Sequence, residues 1–299
     1  MDALSHALIA SILFSAQGLT PFIPFAVLGS VIPDADIFFP QISDRDPSLY
    51  LFTHGGIAHS IAGAFIMSLL VYGTVVLLAA AGIILTGSIA AAGVYWFAAV
   101  LAGALLHVAI DVTACPGIPV LAPFSDRKYT LGILPGPSML LAVAAFGVVL
   151  VMILSILSFS SAIVLYGIIV LLYLAVRTGM FLIVGVTLPG RKIPSINPFR
   201  WIVIRENESS YKVRNYSLFH GYSDETVFEK YRNTDARELA VASQFPEVRR
   251  LFFFSYIVTA ERIGSDLILS DPLREKGYLY YPLKYKRVEL KLDEGLMPS

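Results

Sequence analysis

The sequence predicts a mainly α-helical protein: a polytopic helical membrane bundle followed by a small, strand-rich C-terminal α+β soluble domain. The chain has 299 residues, of which 56% are hydrophobic and only 15% are charged, whereas about 25% of residues are charged in soluble domains. The charges are unevenly placed, because residues 1–188 hold 11 of the 44 charged side chains. The first part therefore suits lipid, and residues 189–299 suit water.

The membrane part contains two long stretches without Asp, Glu, Lys or Arg, at 47–110 and 129–176. A membrane-spanning helix needs about 20 apolar residues, so each stretch has room for two. We predict four spans, near 58–85, 89–112, 138–158 and 161–188, joined in pairs by short uncharged turns at 86–88 and 159–161.

The first 40 residues are apolar but interrupted. The segments 3–16 and 21–32 are short, and Gly18, Pro21 and Pro24 break them. Apolar segments of this length are often core or re-entrant helices. We expect short helices packed on the bundle, with a loop over 33–56.

The order of the crossings predicts the orientation of the chain. Loops 33–56 and 113–137 and the tail from 189 share one side of the membrane, and apart from Arg177 they contain every Lys and Arg. Loops rich in Lys and Arg stay in the cytoplasm. We therefore expect a multi-pass protein of the cell (inner) membrane, with the metal site described below and the tail domain on the cytoplasmic side.

The tail has the pattern of a small α+β domain, since aromatic and β-branched residues cluster in short segments. A helix is expected over Thr234–Gln244, capped by Thr234 or Asp235. A single cysteine excludes internal disulfides, and no concentrated basic face indicates nucleic-acid binding. The expected strands are Trp201–Arg205, Tyr211–Phe219, Leu251–Thr259, Asp266–Leu269 and Leu283–Leu292.

A candidate metal-binding pair lies near the end of the second predicted span. His107 and Asp111 are four residues apart, so a helix places them on one face. An ionised carboxylate in an otherwise uncharged membrane helix is costly and is usually functional. Imidazole suits zinc and related metals, and carboxylate adds an oxygen ligand.

Further His and Asp residues are expected on the same side. His59 begins the neighbouring span at the depth of Asp111, and the glycines after His54 allow a tight turn that brings both rings to one site. Alternate residues of an extended segment point to opposite faces. One of Asp34 and Asp36 is then a ligand, and the other orients a histidine.

The weaker members of the site have alternatives. His6 reaches the cluster only if the first short helix packs beside the others, and the whole set could be a polar packing network without metal. Arg177, inside the last predicted span, either snorkels to the interface or binds an anionic group at the site. Arg127 and Lys128 are candidates for contact with a phosphate or headgroup, or belong to a solvated loop.

The ordered motifs resemble a known family. His6, Pro33-Asp34-Ala35-Asp36, the element from His54 to Ser60 and His107-x-x-x-Asp111 look like the YdjM/YfhP-type family of inner-membrane, metal-dependent hydrolases. The segment 196–201 also resembles the Pro-Phe-Arg-Trp start of the tail in some members. By this resemblance, metal binding and catalysis belong to His6, Asp34, Asp36, His54, His59, His107 and Asp111.

A more distant similarity concerns zinc-dependent phospholipase C and S1/P1-type nucleases, which share the His-x-x-x-Asp element. These enzymes cleave phosphodiesters with a metal cluster. The membrane part lacks a second such pair, which favours one or two ions over three.

The leading functional hypothesis is a hydrolase with one or two divalent ions, most plausibly Zn²⁺, that activate water. Asp34 or Asp36 could act as general base. The position at the membrane surface favours a lipid-like phosphoester or another ester. The alternatives are a metal-ion transporter, since intramembrane His and Asp mark ion pathways, and a membrane scaffold with a structural metal.

Overall fold

The structure, a computed structural model, describes residues 1–83, 89–136, 138–280 and 284–291. It divides into two compact units. The first comprises Met1–Pro40 and Leu51–Ile183, and the second comprises Gln41–Tyr50 and Val184–Ser299. The second unit thus includes a segment of the loop expected at 33–56.

The membrane part is built from α-helices joined by short 3₁₀ turns, and the fold class is as predicted. Ser60 caps α4, because its Oγ accepts a hydrogen bond from the backbone N–H of Gly63 at 2.9 Å. The 3₁₀ turns cover Thr20–Phe22, Ile32–Phe38, Pro47–Leu49 and Ile57–His59. The helices are α1 (Ala3–Ala16), α2 (Ile23–Val31), α3 (Pro40–Ser43), α4 (Ile61–Ala80), α5 (Ile89–Asp111), α6 (Met139–Ile153) and α7 (Phe159–Thr187).

Four helical segments of the described chain are long and apolar enough to cross a membrane: Thr20–Ser43, Ile61–Ala80, Gly93–Asp111 and Phe159–Thr187. Three of them coincide with predicted spans. The segment predicted as a span at 138–158 instead forms a 15-residue helix, α6, which ends before Ser155. The turn predicted at 86–88 lies outside the described residues.

The helical segment Thr20–Ser43 replaces the short helix and loop expected there. Its 3₁₀ turn over Ile32–Phe38 continues α2 towards α3. Pro33 lies in the first turn of that 3₁₀ segment, where the missing N–H of proline breaks no hydrogen bond. The proline that suggested a loop is therefore compatible with a continuous helical path.

Helices α2 and α5 are in unusually close backbone contact. A Cβ atom added at Gly29 would lie 1.9 Å from the carbonyl oxygen of Val100, and one added at Gly103 would lie 2.1 Å from that of Ala26. Small residues permit this approach between membrane helices. The contact fixes the end of α2 against the part of α5 that carries His107.

Helix α1 packs against α6 and α7, as the participation of His6 in the site requires. Leu8 lies in a buried cluster with Leu141, Ala145 and Tyr166. The Tyr166 hydroxyl donates a hydrogen bond to Ser5 Oγ at 2.6 Å. Ser5 and His6 are fully buried, so α1 is an integral part of the bundle.

The second unit contains two sheets. The first has the order β1-β2-β3-β4 with β5 also paired to β3, and the second has the order β6-β7-β8-β9, in which only the β6–β7 pair is parallel. Three short helices accompany them: α8 (Ala236–Ala242), α9 (Pro246–Phe254) and α10 (Pro272–Glu275). The strands are β1 (Arg191–Pro194), β2 (Arg200–Glu206), β3 (Ser210–Ser217), β4 (Gly221–Tyr222), β5 (Thr226–Glu229), β6 (Tyr231–Arg232), β7 (Thr259–Ile263), β8 (Asp266–Ser270) and β9 (Arg287–Lys291).

The prediction of a strand over Leu251–Thr259 is wrong. Its first part lies in α9, and β7 begins only at Thr259. Pro246 and Glu247 occupy the first turn of α9, as is typical of helix starts. Val248 and Leu251 are buried on one face of this helix. The other predicted strands and the helix capped by Asp235 are present, although residues 283 and 292 of the last strand lie outside the described chain.

The segment 41–50 packs within the second unit through polar contacts. Asp44 Oδ2 accepts a hydrogen bond from Lys284 Nζ at 2.6 Å, and Asp44 also accepts one from the Tyr285 hydroxyl. Arg250 Nη1 donates to the carbonyl oxygen of Ser43 at 2.7 Å. These contacts hold the segment 41–50 in the second unit.

Candidate metal centre

The seven His and Asp residues predicted from the sequence come together at one end of the bundle. Helix α1 carries one of them, two 3₁₀ turns and the loop between them carry four, and the last turns of α5 carry two. They form three overlapping groups that could hold a metal ion: His6, His107 and Asp111; Asp34, His59 and His107; and Asp36, His54 and His59.

The turn between the two loop histidines depends on its glycines. Gly55 has φ +72°, a conformation that other residues rarely adopt. A Cβ atom on Gly56 would lie 2.1 Å from the carbonyl oxygen of Leu51. Two adjacent glycines therefore let the chain fold back so that His54 and His59 both face Asp36.

Four side chains converge at the centre of the cluster. His59 Nε2 lies 3.0 Å from His107 Nε2, 3.6 Å from Asp34 Oδ1 and 3.4 Å from Asp111 Oδ2. His107 Nε2 lies 3.7 Å from Asp34 Oδ1 and 3.5 Å from Asp111 Oδ2. A tetrahedral ion with bonds of ~2.1 Å has ligand atoms about 3.4 Å apart. The distances of Asp34 and Asp111 from the two histidines are close to that spacing, and these four residues are called the inner four below.

Each of the two histidines of the inner four has an oxygen acceptor beside its Nδ1 atom. His107 Nδ1 donates to the carbonyl oxygen of Ser30 at 2.7 Å, which leaves Nε2 as the coordinating nitrogen. His59 Nδ1 lies 2.9 Å from Asp36 Oδ2. Metal-binding histidines usually have such a carbonyl or carboxylate partner on the second ring nitrogen.

Asp36 and Asp34 consequently have different positions. Asp34 contributes to the inner four, whereas Asp36 is fully buried behind His59. Asp36 also lies 2.7 Å from His54 Nδ1 and accepts a hydrogen bond from the backbone N–H of Gly55 at 3.1 Å. This arrangement favours Asp34 as a ligand and Asp36 as the carboxylate that orients His59 and His54.

His6 occupies the flank of the inner four. Its ring stacks on that of His107 with centroids 3.8 Å apart, and its Nε2 lies 3.3 Å from Asp111 Oδ1. Within the described chain, neither ring nitrogen of this buried residue has a hydrogen-bond partner. The amino group of Met1 lies 2.7 Å from the same Asp111 oxygen. An unpaired buried imidazole is costly, and a metal ion is one partner that would satisfy it.

The electrostatics of the cluster favour a bound cation. Burial lowers the pKa of His59, but hydrogen bonding with Asp34 and Asp36 outweighs burial and raises this pKa to about 9. The carboxylates thus stabilise a positive charge at the position of His59. The negative charge of these carboxylates and the mixture of nitrogen and oxygen donors in the cluster fit a divalent metal ion.

His54 differs from the other three histidines of the cluster in its accessibility. Its side chain is 34% exposed, whereas those of His6, His59 and His107 are at most 1% exposed. It lines a groove of about 500 Å³ together with Asp34. A molecule in this groove therefore has access to the edge of the cluster.

The predicted basic residues lie outside the inner four. Arg177 is fully buried in α7 rather than extended to the surface, and its Nε donates to the Tyr173 hydroxyl at 3.1 Å. Arg127 is exposed, with its guanidinium 5.5 Å from the centre of the Tyr129 ring, and Lys128 is half-buried. Contact of any of the three with an anionic substrate stays a prediction.

Sequence reasoning missed the carbonyl of Ser30, because a backbone acceptor has no side-chain signature. The glycines at 29 and 103 are the nearest signal, since they allow α2 to approach α5. The sequence predicted that one of Asp34 and Asp36 orients a histidine, but it did not indicate that Asp36 contacts His54.

A comparison with the profiles of protein families gives a match. The profile of the YdjM inner membrane protein family matches residues 1–183, a range that contains all seven His and Asp residues of the cluster. No curated protein and no solved structure matches the chain.

Proposed function

We propose that this chain, which belongs to the YdjM family of inner membrane proteins, is a membrane-embedded, metal-dependent hydrolase. The observation that carries the proposal is the approach of Asp34 and Asp111 to the neighbouring His59 and His107, at distances of 3.0–3.7 Å. One or two ions are expected, and Zn²⁺ suits the mixed imidazole and carboxylate donors best.

The residues around the inner four support hydrolytic chemistry. A bound divalent ion supplies Lewis acidity and lowers the pKa of a bound water to ~7. Asp36 holds His54 through Nδ1 at 2.7 Å, which leaves Nε2 of this exposed ring free to exchange a proton with water or with a leaving group. Asp36 then assists proton transfer through His54, while Asp34 serves as a ligand.

The substrate class follows from the position of the cluster. His59 precedes the candidate span Ile61–Ala80, and Asp111 ends the candidate span Gly93–Asp111. A site at the ends of membrane spans suits an amphiphilic molecule, and we propose a phosphoester or another ester of a lipid-like compound. The basic loop residues favour the cytoplasmic side.

Two other functions remain to be distinguished. A metal-ion transporter needs polar groups along a path through the bilayer, whereas the seven His and Asp residues cluster at one end of α4 and α5. A scaffold with a structural metal would have a closed set of four protein ligands. The group of His6, His107 and Asp111 offers three protein ligands, and an ion held by three protein ligands keeps one coordination position open for water.

The test combines metal analysis with hydrolysis. Protein purified in detergent is expected to contain at least one zinc per chain and to cleave bis-p-nitrophenyl phosphate or a phospholipid. His107→Ala should abolish both properties. His220→Ala is the matched control, because this residue lies in the tail, and it should change neither. Folded wild-type protein that has no metal and no hydrolytic activity would refute the proposal, and zinc uptake into proteoliposomes would support transport instead.

A further inference from the structure

The groove beside the metal cluster is amphiphilic along its length. Its wall is formed mainly by apolar side chains of α2 and the following 3₁₀ turn, among them Leu28, Val31, Ile32 and Ile37. The polar side chains of the groove are those of Asp2, Asp34 and His54. Pockets of a few hundred Å³ with apolar walls and a few polar groups are typical binding sites for small molecules.

The apolar wall belongs to a segment that is suited to cross the membrane. Leu28 and Ile37 lie in the candidate span Thr20–Ser43 and are 47% and 58% exposed. Exposed apolar side chains of a spanning segment face hydrocarbon rather than water. Lipid chains are therefore the molecules that surround this wall and can fill the groove from the side.

The polar end of the groove lies beside residues of the metal cluster. Asp34 belongs to the inner four, and His54 is the exposed histidine that Asp36 orients. A molecule whose chain follows the wall would place its polar head at these two residues. The groove thus joins the lipid-facing apolar wall to the metal cluster.

We propose that the groove binds a single hydrocarbon chain of a membrane lipid, taken up laterally from the bilayer, with the ester group of the lipid at Asp34 and His54. The identification of this lipid as a substrate rests on the proposed hydrolase function, whereas the binding of its chain does not. The occupant is a bilayer lipid and not a soluble ester that enters from water.

The experiment uses full-length protein in phosphatidylcholine vesicles that contain phosphatidic acid with a diazirine near the end of its acyl chain. After illumination, labelled peptides are identified by mass spectrometry. Wild-type protein should be labelled mainly on residues 28–37. Leu28→Trp fills the groove and should reduce this labelling by about tenfold, the effect of ~1.4 kcal/mol. Leu77→Trp, at a 70% exposed position of α4, is the matched control and should leave it unchanged.

The possible outcomes test lipid binding in the groove independently of the hydrolase function. Labelling of wild-type protein spread evenly over the exposed apolar helices would overturn the groove assignment whatever the activity, and this result needs no variant. If Leu28→Trp does not fold, Leu28→Phe replaces it, with Leu77→Phe as control. Wild-type protein that is labelled on these residues but is hydrolytically inactive would refute the hydrolase function and support lipid binding in the groove. Active protein should cleave the short bis-p-nitrophenyl phosphate equally well with and without Leu77→Trp.

Discussion

His59 and His107 present their Nε2 atoms to each other at 3.0 Å, although 48 residues separate them in the chain. His107 already donates through Nδ1 to Ser30, so its Nε2 carries a lone pair. Two imidazole lone pairs do not approach so closely without a cation or proton between them. Either a proton on His59, whose pKa is raised to about 9, or a metal ion satisfies this contact, and metal analysis distinguishes the two.

Removal of one of these nitrogens should eliminate the site. We expect His59→Ala to weaken zinc binding by more than about 100-fold, beyond the ~10–100-fold that loss of an outer partner causes. Competition with a chromophoric chelator measures the affinity. His220→Ala in the tail is the control, and equal affinity in His59→Ala and wild type would exclude His59 as a ligand.

Replacement of the buried orienting carboxylate should have a smaller effect. Asp36→Asn preserves the side-chain size but weakens the interaction at 2.9 Å with His59 Nδ1, so zinc affinity should fall by ~10–100-fold. Titration calorimetry measures the change. Asp46→Asn, which affects an exposed carboxylate that caps Ser48, should leave the affinity unaltered. A loss as large as that of His59→Ala would instead make Asp36 a direct ligand.

The role of His54 can be separated from metal binding. If this exposed histidine transfers protons, His54→Ala should lower kcat by about 10²–10⁴-fold and leave the zinc content at the wild-type level. Parallel measurement of hydrolysis and metal content decides this. Loss of zinc in proportion to activity would return His54 to the ligand role expected from the sequence.

The close contact of α2 with α5 should be essential for both stability and the site. Gly29→Ala places a Cβ atom 1.9 Å from the Val100 carbonyl oxygen. The helices must then separate, and we expect a loss of about 1–3 kcal/mol, as for other overpacked sites. Gly73→Ala in α4 is the control, because nothing lies within 4 Å of its added Cβ. Thermal unfolding in detergent should show a lower Tm for Gly29→Ala alone, together with weaker zinc binding through the Ser30–His107 contact.

Stability of the second unit should depend on Asp44 in a pH-dependent way. Hydrogen bonds from Lys284 and Tyr285 hold the pKa of Asp44 below its usual value. A carboxyl group with a lowered pKa stabilises the fold above its ordinary pKa of ~3.9, and this contribution disappears as the pH falls through the lowered value. Lys284 is 65% exposed, so screening by solvent keeps the contribution at neutral pH small.

This dependence can be measured with Asp44→Asn. Chemical unfolding followed by the fluorescence of Trp201, which is buried in β2, should show a less stable variant near neutral pH. The difference should shrink in acid as Asp44 of the wild type becomes protonated. A difference that persisted or grew as the pH fell would show that the ionised carboxylate is not the stabilising group.

The sequence predicted the broad architecture because hydropathy reports the surroundings of a segment. The uncharged stretches at 47–110 and 129–176 indicated membrane helices, and three of the four predicted spans coincide with long apolar helices of the structure. Local signals were less decisive where proline occurs. The loop predicted from residue 33 onward begins with a 3₁₀ segment that has Pro33 in its first turn, and α9, which begins at Pro246, covers the first part of the stretch predicted as a strand.

By itself, the sequence determined the seven candidate ligands and the type of chemistry they suit, because residue identity fixes which atoms can bind a metal. Only the tertiary structure decided that Asp34 joins the inner four while Asp36 orients His59, and that the Ser30 carbonyl holds His107. These relationships depend on distances of a few ångströms between segments far apart in the chain. The backbone approach at Gly29 and Gly103 and the packing of α1 set those distances, and residue spacing along one segment does not contain them.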